Sequence, residues 1–123
     1  MMESSVTIYK HAGATSVSVT AYIRDDGDVV VGGYDVGEAP TKTWGSSDYE
    51  YLVSVKPKHK DKLMRALAQA CGEEKAISEP GADKDKLMLA LIETHFGGNS
   101  TAVSAFQSFC KDHGIPAEFW SWS

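Results

Sequence analysis

Apolar and polar positions alternate with a period of two over the first 55 residues and recur at helical spacing after that. Val6 and Ile8 alternate with Thr7 and Tyr9, predicting a strand from Ser4 to Lys10. From Ser16 to Arg24 the alternation is strict, with Val17, Val19, Ala21 and Ile23 on one face and Ser18, Thr20, Tyr22 and Arg24 on the other. Val29 to Gly37 reads as a third strand. Asp48 to Val55 reads as a fourth, with Tyr49, Tyr51, Val53 and Val55 sharing a face opposite Asp48, Glu50, Leu52 and Ser54.

Asp25-Asp26-Gly27-Asp28 separates the second and third strands. Asp-Gly suits a two-residue type I′ loop, because both central residues need positive φ. That loop sets Ile23 opposite Val30, Ala21 opposite Gly32, Val19 opposite Tyr34 and Val17 opposite Val36, while Ser18 faces Asp35 on the other side. Asp35, Asp48 and Glu50 then point away from the core together. The Gly32-Gly33 pair lies inside a strand, so it is no phosphate cradle; it relieves a bend or lets a side chain or partner lie across the strand.

Pro57 suits the first turn of a helix, where a missing N–H costs nothing. Leu63, Met64, Leu67, Ala68 and Cys71 follow at helical spacing up to Gly72, a natural stop. Leu87, Met88, Leu91, Ile92 and His95 mark a second helix ending at Gly97-Gly98. Asn99, Ser100 or Thr101 can cap a third, whose stripe is Val103, Phe106, Phe109 and Cys110, and Gly114 and Pro116 end it. In the last residues Phe119 and Ser121 alternate with Trp120 and Trp122, predicting a short strand. The expected architecture is a single α+β domain over residues 1–123. It is an antiparallel four-stranded meander, then three helices packed on one face, with a short C-terminal strand.

Composition adds two constraints. A hydrophobic fraction of 42% with 24% charged residues is globular, which argues against disorder. The net charge of −5 argues against general binding of nucleic acid or anionic membranes. That charge is uneven: residues 1–55 hold eight acids against three bases, whereas residues 56–123 hold nine of each. There is no apolar run of membrane-spanning length and no N-terminal leader pattern, so a cytoplasmic location is expected.

Candidate chemistry is sparse. Cys71, His95, Cys110 and His113 could be offered as a zinc set, but only Cys110 and His113 form a close pair, and helix cysteines usually pack as small hydrophobes. Nothing marks either thiol as an activated nucleophile. The aspartates around Gly27 lack the span and closing glutamate of a calcium loop. Lys56, Lys58, Lys60 and Lys62 crowd a helix start, where the macrodipole disfavours them; an anion site competes there with a solvated charge run. Trp120 and Trp122 are either interface anchors or closers of the core. No catalytic residue, metal ligand or cofactor is expected.

Gly33-Tyr34-Asp35-Val36-Gly37, Asp48-Tyr49-Glu50-Tyr51, His95-Phe96-Gly97-Gly98, His113-Gly114-Ile115-Pro116 and Phe119-Trp120 together resemble small uncharacterised bacterial proteins of the toxin-immunity type. The resemblance carries no active site with it. It implies a non-enzymatic protein-binding domain that neutralises a basic toxin, such as a nuclease, through an acidic surface. The residues expected to bind the partner are Asp35, Glu38, Trp44, Asp48 and Glu50, by charge steering and an aromatic anchor. The alternatives are a small homodimeric structural or regulatory domain, and a small enzyme or nucleic-acid binder using the sheet and the lysine-rich helix start.

Overall fold

Five antiparallel strands lie in the order β1-β2-β3-β4-β5, and three helices cover one face of the sheet. A computed structural model of the chain describes residues 4–37, 48–72 and 83–122. The strands are β1 (Ser4–His11), β2 (Thr15–Ile23), β3 (Val29–Gly37), β4 (Asp48–Val55) and β5 (Glu118–Trp122). The helices are α1 (Lys60–Cys71), entered through a 3₁₀ turn at Pro57–His59, α2 (Lys84–Phe96) and α3 (Ala102–Asp112). The expected α+β class, meander, helical layer and C-terminal strand are all present. β5 returns to pair with the free edge of β4, setting Leu52 opposite Trp120 and Val53 opposite Phe119.

The β2–β3 hairpin departs from expectation by one residue. Ile23 pairs with Val29, Ala21 with Val31, Val19 with Gly33 and Val17 with Asp35. The loop is three residues long. Gly27 N–H donates to Arg24 O at 2.9 Å, Arg24 N–H donates to Asp28 O at 2.9 Å, and Asp26 Oδ1 accepts from Asp28 N–H at 3.0 Å. Only Gly27, at φ 95°, takes the left-handed conformation. A type I′ loop would force Asp26 there too, whereas the three-residue loop confines that conformation to glycine.

Packing favours the same choice. Val29-Val30-Val31 is apolar at both parities, so the strand's own pattern does not choose a face. The observed register turns Val29 and Val31 inward with Val53 and Val55, and all four are fully buried. The expected register would instead have turned Val30, Gly32 and Tyr34 inward. Val30 is fully buried on the other face, so the observed register takes all three valines out of water.

The core lies between the sheet and the helices. Ile8, Val19, Ala21, Ile23, Val29, Val31, Val53 and Val55 meet Leu63, Leu67, Met88, Leu91, Ile92, Phe96, Val103, Phe106 and Cys110. Helix α2 sits over β1 and β2, and α3 sits over β3 and β4. A bulge in β1 between Thr7 and Tyr9 breaks the ladder, and Gly98 N–H, just past α2, donates to the Ile8 carbonyl at 2.8 Å. On α2 the stripe ends on buried Phe96, while His95 is exposed. Asp83 caps α2, its Oδ1 accepting from Asp85 and Lys86 N–H.

The lysine run joins elements together. Lys60 bonds Asp85 on α2, Lys62 Nζ lies 3.0 Å from Gly114 O beyond α3, and Lys56 Nζ lies 3.9 Å from Glu118 on β5. Contacts of this kind occupy lysines at an otherwise unfavourable helix start. Lys56, Lys60 and Lys62 therefore form neither an open anion site nor the purely solvated run that is its alternative.

Candidate functional site

The register decides where the acids go. Asp35 pairs with Val17 and Tyr49 and therefore lies on the helix side of the sheet, half-buried. Glu50 pairs with Tyr34 and lies on the opposite, outer side. The expected grouping of Asp35 with Glu50 is thus not formed, because a one-residue shift carries every side chain of a strand to the other face. Asp48 occupies the position paired with Val36, on the Glu50 side of the ladder. Its side chain, and the whole of Glu38 and Trp44, lie outside the described residues.

Asp35 instead belongs to a notch of about 280 Å³ between the β3–β4 ladder and the start of α3. Tyr49, Tyr51, Ser100, Thr101, Val103, Ser104 and Phe119 complete its lining. Tyr51 lies across Gly33: a Cβ built on that glycine would sit 2.3 Å from the ring. Glycine thus permits the tyrosine to reach over the neighbouring strand, the role of a side chain lying across the glycine pair. The Tyr51 hydroxyl donates to Asp35 Oδ1 at 2.9 Å. Burial first, then the hydrogen bond to Asp35 and the Asp35 charge, push the Tyr51 phenol well above its ordinary value. Tyr51 therefore stays a donor across the physiological range and holds the carboxylate in place. The Tyr49 ring lies 5.3 Å from that of Tyr51, tilted by 31°.

The outer face carries a second, smaller depression of about 180 Å³. Ser18, Thr20, Tyr22, Gly32, Gly33, Tyr34, Glu50, Tyr51 and Leu52 line it. The helices contact the other face. On this one Val30 and Leu52 are buried. The large hydrophobics that remain most open to solvent among the described residues are Tyr34 at 39%, Phe119 at 47% and Trp120 at 53%. Phe119 faces the notch and Trp120 faces outward, so both sides of the β4–β5 edge display a ring. The Trp122 side chain lies outside the described residues.

The other chemical candidates take structural positions. Among the described residues no three of His, Cys, Asp or Glu gather as a metal set. Cys71 Sγ lies 3.7 Å from Leu91 O, and Cys110 is fully buried in the core. His95 and His113 pack against Phe109 at 5.2 and 4.3 Å between ring centroids. A strong chelator should therefore leave the thermal midpoint unchanged; a fall on chelation would reveal a structural metal.

Burial pushes the Cys110 thiol from the ordinary 9.0 up to about 12. The unfolded thiol ionises above pH 9 while the folded one stays protonated, so this contribution to stability is present below pH 9 and lost between pH 9 and about 12. Urea midpoints should fall with rising pH in that window. The fall should be shallower in Cys110→Ala, and equal slopes would contradict the burial argument.

The notch residues were individually visible in the sequence, but their convergence was not. Tyr49 and Tyr51 read only as core-facing strand residues, and Ser100 and Thr101 only as caps. A glycine opposite a tyrosine is the one signal of the notch, and it appears only once the β3–β4 register is known. No protein-family model, curated protein or solved structure matches the chain. No helix among the described residues is long and apolar enough to cross a membrane.

Proposed function

We propose that this is a non-enzymatic protein-binding domain of the cytoplasm that presents the β3–β5 half of its sheet to a basic partner, most concretely as an immunity protein neutralising a cationic toxin such as a nuclease. The observation that carries this reading is the position of the exposed rings. Tyr34, Trp120 and the Glu50 carboxylate share the outer side of β3–β5, and Phe119 and the Asp35 carboxylate line the notch on the other side, so rings and acids occur together on both sides of this half of the sheet. Aromatic anchors within a polar rim are what concentrate binding energy at protein interfaces. The excess of five negative charges in residues 1–55 adds long-range attraction for a basic partner.

The test is co-expression with a toxic domain encoded beside this chain. The protein should restore growth and form a complex with that domain. Tyr34→Ala combined with Trp120→Ala should weaken the complex at least about tenfold without altering circular dichroism. Rescue and affinity unchanged in the double variant would remove this face from the interface.

A second reading is favoured by β5 itself. It is a five-residue outer strand with an exposed phenylalanine and tryptophan and neither lysine nor proline within it, so among its own residues only Glu118 and its short length guard the edge. Pairing of two β5 strands would make a homodimer. A concentration-dependent dimer that Trp120→Ala abolishes, with no binding to the neighbouring toxic domain, would favour it.

A further inference from the structure

We infer that the notch at Asp35 is a receptor for one arginine side chain of the protein partner. The inference rests on the partner-binding reading above and specifies the chemistry it would use. Among the described residues three rings, Tyr49, Tyr51 and Phe119, and one carboxylate line the notch. Aromatic faces attract a cation through their quadrupole, and a carboxylate fixes its position. Asp35 Oδ1 is already held by the Tyr51 hydroxyl. The group is therefore oriented before a ligand arrives, which lowers the cost of ordering on binding. A planar guanidinium can stack on a ring while its fork bonds a carboxylate, which a lysine ammonium cannot do.

The start of α3 also borders the notch, and a helix N-terminus by itself favours an anion. Here Asn99 takes up part of that end's donor capacity. Asn99 Oδ1 accepts from Thr101 N–H at 2.9 Å and from the Thr101 hydroxyl at 2.8 Å, while Asn99 O accepts from Ala102 N–H at 3.2 Å. Asp35 is the one fully charged side chain on the lining among the described residues, and it sets the sign of the site. The hydroxyls of Ser100 and Ser104 remain on the lining as acceptors for further guanidinium N–H groups.

The experiment titrates the free protein with N-acetyl-arginine-N-methylamide, followed by amide chemical shifts. The uncharged isostere N-acetyl-citrulline-N-methylamide is run in parallel. Saturable shifts should appear at Asp35, Tyr51, Ser100 to Ser104 and Phe119 with the arginine compound, and be at least about fivefold weaker with citrulline. Asp35→Asn keeps an acceptor for Tyr51 and Phe119→Leu keeps an exposed apolar side chain, so both should fold. Each should lower the arginine affinity at least about fivefold. No saturable shift, equal binding of citrulline, or wild-type binding by Asp35→Asn would overturn the inference. Those outcomes leave the outer face and its Tyr34 and Trp120 test untouched. A notch that binds arginine normally in a protein that forms no toxin complex would instead sink the partner reading and, with it, the assignment of the arginine to a partner.

Discussion

Replacing Phe106 with alanine should lower the unfolding free energy by about 3–5 kcal/mol, the largest loss expected from a single truncation in this chain. Phe106 is fully buried on α3 and meets the Phe96 ring of α2 at 5.8 Å in an edge-to-face arrangement. It therefore joins α2 to α3, and α3 in turn packs over β3 and β4. Its removal costs the transfer energy of the ring and leaves a cavity that neighbouring strands are too constrained to close. Denaturant unfolding at unchanged slope measures the loss. A loss below about 1 kcal/mol would mean that the helical layer is not anchored through this residue.

Gly33→Ala should destabilise by about 1–3 kcal/mol, although alanine is better tolerated than glycine at most ordinary backbone positions. The added Cβ would lie 2.3 Å from two ring carbons of Tyr51 and 2.5 Å from its hydroxyl oxygen. The ring cannot swing away without giving up its bond to Asp35. The clash is specific to that ring, so a double-mutant cycle isolates it. In a Tyr51→Ala background the glycine replacement should become nearly neutral. Additive effects of the two substitutions would show that Tyr51 does not lie over Gly33. The same substitution displaces the hydroxyl that orients Asp35, so it should also weaken arginine binding in the notch.

A single residue of register accounts for most of the distance between the expected and the observed site. Asp-Gly at residues 26–27 suggests a two-residue loop, but Asp28 closes the hairpin against Arg24, leaving three residues between them. The consequence travels along β3. Asp35 moves from beside Glu50 to beside Tyr49, and an acidic outer patch becomes two features on opposite faces. The local signal was ambiguous because Val29, Val30 and Val31 fit either face equally well.

Elements whose signals are local could be read directly from the chain. Strict alternation along residues 16–24 marks β2, and the spacing of Leu63, Met64 and Leu67 marks the buried face of α1, closed by Gly72 in the left-handed conformation. The core-facing choice on β4 was also legible, since Tyr49, Tyr51, Val53 and Val55 outweigh Leu52 alone. These follow from periodicity, which each segment carries within itself. The tertiary structure decided what two segments must settle between them. It chose the β2–β3 register by burying Val29 and Val31, sent β5 to the edge of β4, and brought Tyr51 over Gly33 to hold Asp35 beside α3. None of these is a property of one stretch of sequence, because each depends on which competing contact buries more surface when the strands and helices meet.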